Sequence, residues 1–163
     1  MRTLRRPLAI AAAAAAAALT LSGCTDTNFG AQTNQQYQPA VGANYRGDID
    51  VLNTLLVANP NGTATVSAGV VNQNDTSDTI TDVTATTLAG APLSVAAPET
   101  SRSLPSKQGI TLGAKDTDSA YVVTDAPIGQ YVRLTITFSS STAAVIEAPV
   151  VTRGEIYQDV ALS

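Results

Sequence analysis

The most constraining stretch of this chain is residues 130–138. Val132, Leu134, Ile136 and Phe138 alternate there with Tyr131, Arg133, Thr135 and Thr137. Successive side chains of an extended chain point to opposite faces, so a strict two-residue period with β-branched residues on the polar side specifies a strand that is dry on one face only. Such a strand needs a second layer to cover its apolar face. The rest of the chain repeats the pattern. Residues 49–57 are more continuously apolar and predict a central strand, and residues 65–72 place Val66, Ala68 and Val70 on one face. Further strands are expected over 80–87, 93–97, 110–112, 120–124 and 144–151. Turn chemistry separates them: Asn59-Pro60-Asn61-Gly62, Asn72-Gln73-Asn74-Asp75, Leu88-Ala89-Gly90-Ala91-Pro92, Asp125-Ala126-Pro127-Ile128-Gly129 and Ser139-Ser140-Ser141. No helical period of useful length follows residue 24. The pattern predicts an all-β domain over residues 41–152, an antiparallel Greek-key β-sandwich of the Ig-like or cupredoxin-like kind. The longest irregular loop is expected over 94–109, and residues 153–163 form a C-terminal tail expected to fray.

The N-terminal segment has a different logic. Arg2, Arg5 and Arg6 precede an apolar run from Leu8 to Leu21 that contains the alanines Ala11 to Ala18. That run is too short to cross roughly 30 Å of hydrocarbon comfortably and has the length of a secretory signal core. Leu21-Ser22-Gly23-Cys24 follows: an aliphatic residue, two small ones and the chain's one cysteine. Small residues suit a peptidase site, and a thiol just after the scissile bond suits thioether lipidation. The segment resembles the lipobox of bacterial lipoproteins at all four positions. The resemblance implies a lipoprotein signal peptide over 1–23, cleavage before Cys24, and a lipid anchor on Cys24. Two acyl chains hold a protein stably on a membrane where one does so marginally. The alternative is an ordinary cleaved signal with a spare thiol. Arg5-Arg6 lacks the flanking residues of a twin-arginine signal, so general export is expected. Residues 24–40 are rich in Thr, Asn and Gln, show no apolar period, and read as a flexible linker. The expected location is extracytoplasmic, lipid-anchored to the cell membrane.

Composition then removes function classes. The chain has 9 basic and 13 acidic residues, and loss of residues 1–23 takes Arg2, Arg5 and Arg6 but no acid. An acidic mature chain without a basic cluster is not built for nucleic acid. There is no histidine, and the one methionine is Met1. Ser-His-Asp and Cys-His catalysis therefore lack their ingredients, and copper(I) and zinc lack their preferred donors. No enzyme, no catalytic residue, no metal ligand and no cofactor is expected. Three groups of oxygen donors are of the kind calcium takes: Asp48 with Asp50, Asp116 with Asp118, and the 72–78 loop. That loop lacks the glycine and glutamate an EF-hand needs (Ser77 and Val83 stand there), and turn-forming or solvated acids explain all three groups. Paired carboxylates for glycoside hydrolysis would need a cleft that short loops do not supply. Tyr121 and Tyr131 are either contact residues or caps on the core.

Three blocks carry a family resemblance. Val70-Val71-Asn72-Gln73-Asn74-Asp75-Thr76-Ser77-Asp78-Thr79-Ile80, then Gly109-Ile110-Thr111-Leu112, then Pro127-Ile128-Gly129-Gln130-Tyr131-Val132-Arg133-Leu134-Thr135-Ile136-Thr137-Phe138 with the strand that follows, resemble periplasmic copper chaperones of the PCuAC type. With Gly47-Asp48-Ile49-Asp50-Val51 and the lipobox, the chain is similar to actinobacterial cell-envelope lipoproteins carrying a diverged form of that domain. The family holds copper through histidines and methionines lying between these blocks. Here that interval has none: Glu99, Ser101 and Arg102 are its polar candidates over 94–104, and Ala120-Tyr121-Val122-Val123 stands where a His-x-Met pair is expected. The resemblance implies a fold and a derived role. The leading expectation is a non-catalytic binding or scaffolding module that holds an unidentified envelope protein or polymer through its edge strands or the 94–109 loop. The alternative is a copper-handling accessory protein.

Overall fold

In a computed structural model, residues 41–115 and 120–162 are described. Strands β1 (Ala43–Tyr45), β2 (Ile49–Ala58), β3 (Thr63–Asn72), β4 (Asp78–Thr87), β5 (Pro92–Leu93), β6 (Val95–Ala96), β7 (Arg102–Leu104), β8 (Gly109–Leu112), β9 (Val122–Thr124), β10 (Tyr131–Phe138) and β11 (Ala144–Val151) form two hydrogen-bonded layers. The order across them is β5-β4-β10-β11-β2-β3-β9-β6, with β7 on β4, β8 on β3 and β1 on β2. The all-β sandwich expected from the period-two pattern is the fold.

Strand β10 behaves as its alternation requires. Val132, Leu134 and Ile136 are fully buried, while Tyr131 is exposed. It pairs with β11 on one side and β4 on the other, antiparallel in both cases. Strand β11 links the layers: Ala144 to Pro149 pair with β10, whereas Val150 and Val151 pair with Leu56 and Val57 of β2. That last pairing is parallel, the one departure from an antiparallel architecture among the described residues. The main core joins both layers through Ile49, Val51, Leu56, Val66, Val70, Ile80, Leu104, Leu112, Leu134 and Ile136. Each such side chain contributes roughly 1.5–3 kcal/mol by leaving water.

The largely apolar character of β2 has a two-part explanation. Its register shifts between Leu52 and Leu55, and Asn53 at the break has φ 50°. Asn is among the few side chains that occupy this left-handed region readily. Here the amide is also bound on both sides: Asn53 N donates to Asn44 Oδ1 at 2.6 Å and Gly42 N donates to Asn53 Oδ1 at 3.2 Å. Beyond the bulge, Leu56 faces the main core, while Leu55 and Val57 form a second cluster with Val160, against which Val151 and Tyr157 pack. Both faces of this half-strand are therefore covered.

The cover is the segment after residue 151, which does not fray as expected. A 3₁₀ turn, Glu155–Tyr157, leads into it. Arg153 clamps it by donating to the carbonyls of Tyr157 (3.1 Å), Val160 (2.9 Å) and Ala161 (3.0 Å) and to Asn59 Oδ1 (2.7 Å). Lys115 N donates to Asp159 O at 2.7 Å, and Ala161 N to Gly113 O at 2.9 Å. Apolar residues at the chain's end and a cation aimed at its carbonyls outweigh the usual tendency of termini to loosen.

Candidate functional site

The 94–109 stretch is not one irregular loop. Strand β6 pairs with β9 in one layer, and β7 pairs with β4 in the other. Residues 97–101 therefore pass from one layer to the other along an edge of the sandwich. Pro98 within the crossing has no N–H to leave unpaired. A cleft of about 530 Å³ opens there, lined by Ala97, Pro98, Glu99 and Thr100 of the crossing together with Ala120, Ala161 and Leu162. Docking of the C-terminal segment thus completes the cleft as well as covering β2.

Two side chains adjoin the cleft walls in sequence. Arg102, two residues after Thr100, shares the inward face of β7 with Leu104, which is fully buried. Its partner in register is Ile80, also a core residue. The strand thus carries a guanidinium toward the space between the layers. Its Nε and Nη2 are buried and have no hydrogen-bond partner. Leaving buried donors unmatched costs about 1–3 kcal/mol, more when the group is charged. Tyr121, next after Ala120, is 3% exposed and belongs to the main core, and its carbonyl accepts from Val66 N at 2.9 Å. Burial pushes its phenol above the ordinary tyrosine range; the Arg102 charge pulls the other way and Asp82 adds to the rise. Arg102, Tyr121 and Asp82 therefore lie within electrostatic reach of one another.

The other candidates separate cleanly. Tyr131 is half exposed, so of the two tyrosines only Tyr121 caps the core. Cys24 lies outside the described residues, as do Asp116 and Asp118. Asp50 is buried and engaged by Arg46 Nη1 at 2.7 Å, Gln73 Nε2 at 3.1 Å and Gly47 N at 3.2 Å. Burial alone would raise its pKa, and these bonds bring it below the ordinary value. In the 72–78 loop, Asn72 donates to Thr76 O and Leu104 O and accepts from Asn74 N. Asp75 meets Lys107 at 3.1 Å. Asp78, 4% exposed, accepts five bonds: from Thr79 N, Ser139 Oγ and Ser140 N at Oδ1, and from the amide and hydroxyl of Ser141 at Oδ2. Burial opposes its ionisation, yet these donors hold its pKa far below the ordinary carboxylate value. The loop's side-chain oxygens are thus engaged by its own backbone, by the 139–141 turn and by Lys107. Among the described residues no three His, Cys, Asp or Glu side chains converge as a metal site requires. The sequence flagged Arg102 only as a polar residue in a loop; its two-residue spacing from Leu104 was the signal that it points inward.

No protein-family model and no curated protein matches the chain. Solved structures do match, three PCuAC domains among them. The copper-bound PCuAC domain from PmoF2 superposes with a TM-score of 0.51 at 21% identity, over 68% of this chain and 98% of that one. The apo PCuAC domain from PmoF1 gives 0.52 at 23% identity, over 68% and 99%. The apo PmoF2 domain gives 0.51 at 21%, over 68% and 94%. At these identities the likeness concerns the backbone arrangement, and the fold of this chain is that of a PCuAC-like domain.

Proposed function

We propose that the protein is a non-catalytic binding module of the cell envelope, tethered through a lipid on Cys24, which uses the cleft beside residues 97–100 to hold its partner. The observation that carries this reading is the cleft itself: a concave surface at the edge of the sandwich, assembled from a crossing loop and the docked C-terminal segment. The pattern Leu21-Ser22-Gly23-Cys24 supports the anchor, and a chain without histidine lacks the ingredients of Ser-His-Asp and Cys-His catalysis. Crosslinking in intact cells tests the reading. A specific envelope partner is recovered with the native chain and lost when residues 97–100 are shortened; unchanged recovery refutes it. The anchor has its own test: Cys24→Ala moves the protein out of the membrane fraction and removes the acyl mass from its N-terminal peptide.

A second reading, copper handling, is favoured by the likeness to a domain whose structure was solved with copper bound. The donor set does not fit that cargo. Copper(I) wants imidazole, thiolate or thioether, and the mature chain offers no histidine and no methionine. This reading requires a partner to bring the ligands, and a purified mature chain that retains no copper after loading and gel filtration confines it to that form.

A further inference from the structure

We propose that the end of the sandwich bearing the 59–62, 88–91 and 125–130 turns docks on the lipid surface, with Leu88, Ile128 and Tyr131 entering its interfacial layer. The inference rests on the reading of Cys24 as a lipid anchor and adds how the anchored domain meets its membrane.

Strand register brings the three turns to one end. Ala58, which finishes β2, pairs with Ala64 near the start of β3, and Thr124, which finishes β9, pairs with Thr63. Val151 at the end of β11 pairs with Val57, and Pro149 of β11 pairs with Tyr131, the first residue of β10. Val132 pairs in turn with Thr87 at the end of β4. One step further along that ladder, the outward Tyr131 comes beside Leu88. Ile128 stands in the adjoining turn, which Gln130 N closes by donating to Pro127 O at 3.2 Å. Leu88, Ile128 and Tyr131 are 49%, 57% and 52% exposed. Single exposed apolar side chains are ordinary, but three gathered at one end of a sandwich form a patch.

Charge and chain entry identify what covers it. The 59–62 and 88–91 turns carry no charge, and the 125–130 turn carries Asp125 alone. The loops of the opposite end, 46–48, 73–77, 105–108 and 139–143, hold Arg46, Asp48, Asp75 and Lys107 and none of the large exposed apolar side chains. Taking charges out of water is costly, so the first end suits an apolar layer and the second suits solvent. The 3₁₀ turn after β11 adds the exposed Ile156 with one acid, Glu155. No lysine lies on these segments, so the contact is made by apolar burial and not by attraction to anionic head groups. Tyrosine, with an apolar ring and a polar tip, suits the boundary between lipid and water. Strand β1 runs from Ala43 beside Thr54 to Tyr45 beside Val51, antiparallel to β2. The chain therefore enters the domain travelling from the end where β2 finishes. Sixteen residues, 25–40, join Cys24 to Val41, a span of at most roughly 60 Å. Tethering at that reach makes the contact an intramolecular one, so even a weak apolar patch is populated.

The test places the mature chain, isolated from membranes, in phosphatidylcholine vesicles doped with brominated phosphatidylcholine, which quenches indole within the lipid. The chain has no tryptophan, so Ile128→Trp and Ser77→Trp each report from one end. The liking of indole for the interface is common to both probes, and the comparison reads the end and not the probe. The Ile128→Trp chain shifts its emission to shorter wavelength and loses intensity to the bromolipid; the Ser77→Trp chain does neither. Leu88→Trp repeats the measurement at the second turn, so the result does not hang on one variant. Leu88→Asp added to Ile128→Trp reduces the quenching, whereas Val145→Asp, on an exposed residue of β11 outside the patch, leaves it unchanged. Equal quenching at the two ends, or none at residues 88 and 128, overturns the proposal. A blue shift without bromolipid quenching that grows with protein density assigns the patch to a second copy of the chain and overturns it equally. The anchor is read separately, from the acyl mass of the N-terminal peptide. An acylated chain with no quenching at residue 128 leaves the anchor standing and sinks the docking. A chain without acyl mass that is still quenched at residue 128 and not at residue 77 sinks the anchor and supports the docking.

Discussion

Asp78 offers the sharpest test of what holds the sandwich together. Its carboxylate gathers the start of β4 and the whole Ser139-Ser140-Ser141 turn between β10 and β11 through five hydrogen bonds. Asp78→Ala removes all five acceptor contacts at a buried position. A hydrogen bond to a charged group is worth about 1.5–3 kcal/mol. Water reaches the exposed serines and recovers part of the loss, so a total of about 3–4 kcal/mol is expected, in the range found when one partner of a buried charged network is deleted. For a domain of this size that lowers Tm by roughly 10–15 °C. Asp78→Asn keeps one acceptor but turns an amide donor toward the Ser141 donors, and about half the loss is expected. The pH dependence follows from the direction of the shift. The folded-state pKa lies below the unfolded one, so the unfolded chain takes up protons first as pH falls. The stabilisation is whole above the ordinary carboxylate pKa of about 4 and declines progressively below it. It is fully lost only once pH falls through the depressed folded value. Asp50 shifts in the same direction and adds to the same acid limb. Urea denaturation of the native chain, Asp78→Ala and Asp78→Asn from pH 7 to pH 3 reads both effects, and the acid limb is shallower in the two variants. A loss below about 1 kcal/mol for Asp78→Ala, or identical acid limbs for native and Asn chains, would refute the reasoning.

Two further perturbations probe the docked end of the chain. Arg153→Ala removes four donated bonds and exposes Leu55 and Val57; a loss of about 2–3 kcal/mol and new protease cleavage after residue 153 are expected, and a protease-resistant variant of native stability contradicts the clamp. Gly113→Ala places a Cβ 2.1 Å from the Val66 carbonyl oxygen at a φ of +70°; the clash is with backbone, so destabilisation by at least about 2 kcal/mol is expected in thermal melts, and an unchanged Tm contradicts the geometry.

The alternating run through β10, the inward Val66, Ala68 and Val70 of β3, and the turn residues between strands were legible without coordinates, because side-chain alternation and backbone preference are local properties. The absence of histidine, and of any methionine beyond Met1, was equally plain, and it bounded the chemistry before any fold was known. Other features required the assembled chain. That β2 beyond the bulge at Asn53 is apolar on both faces, one meeting the main core and the other the docked C-terminal segment, depends on register and packing. That residues 153–162 are held by Arg153 and Gly113 depends on contacts between segments distant in sequence. Asp78 looked like a solvated turn acid until β4 brought it beneath three serines from another turn. Arg102 looked like a loop residue until pairing with β4 fixed its direction. Local pattern determines which residues seek the interior. Which partners a buried polar group finds, or fails to find, is settled only when strands far apart in the chain are packed against each other.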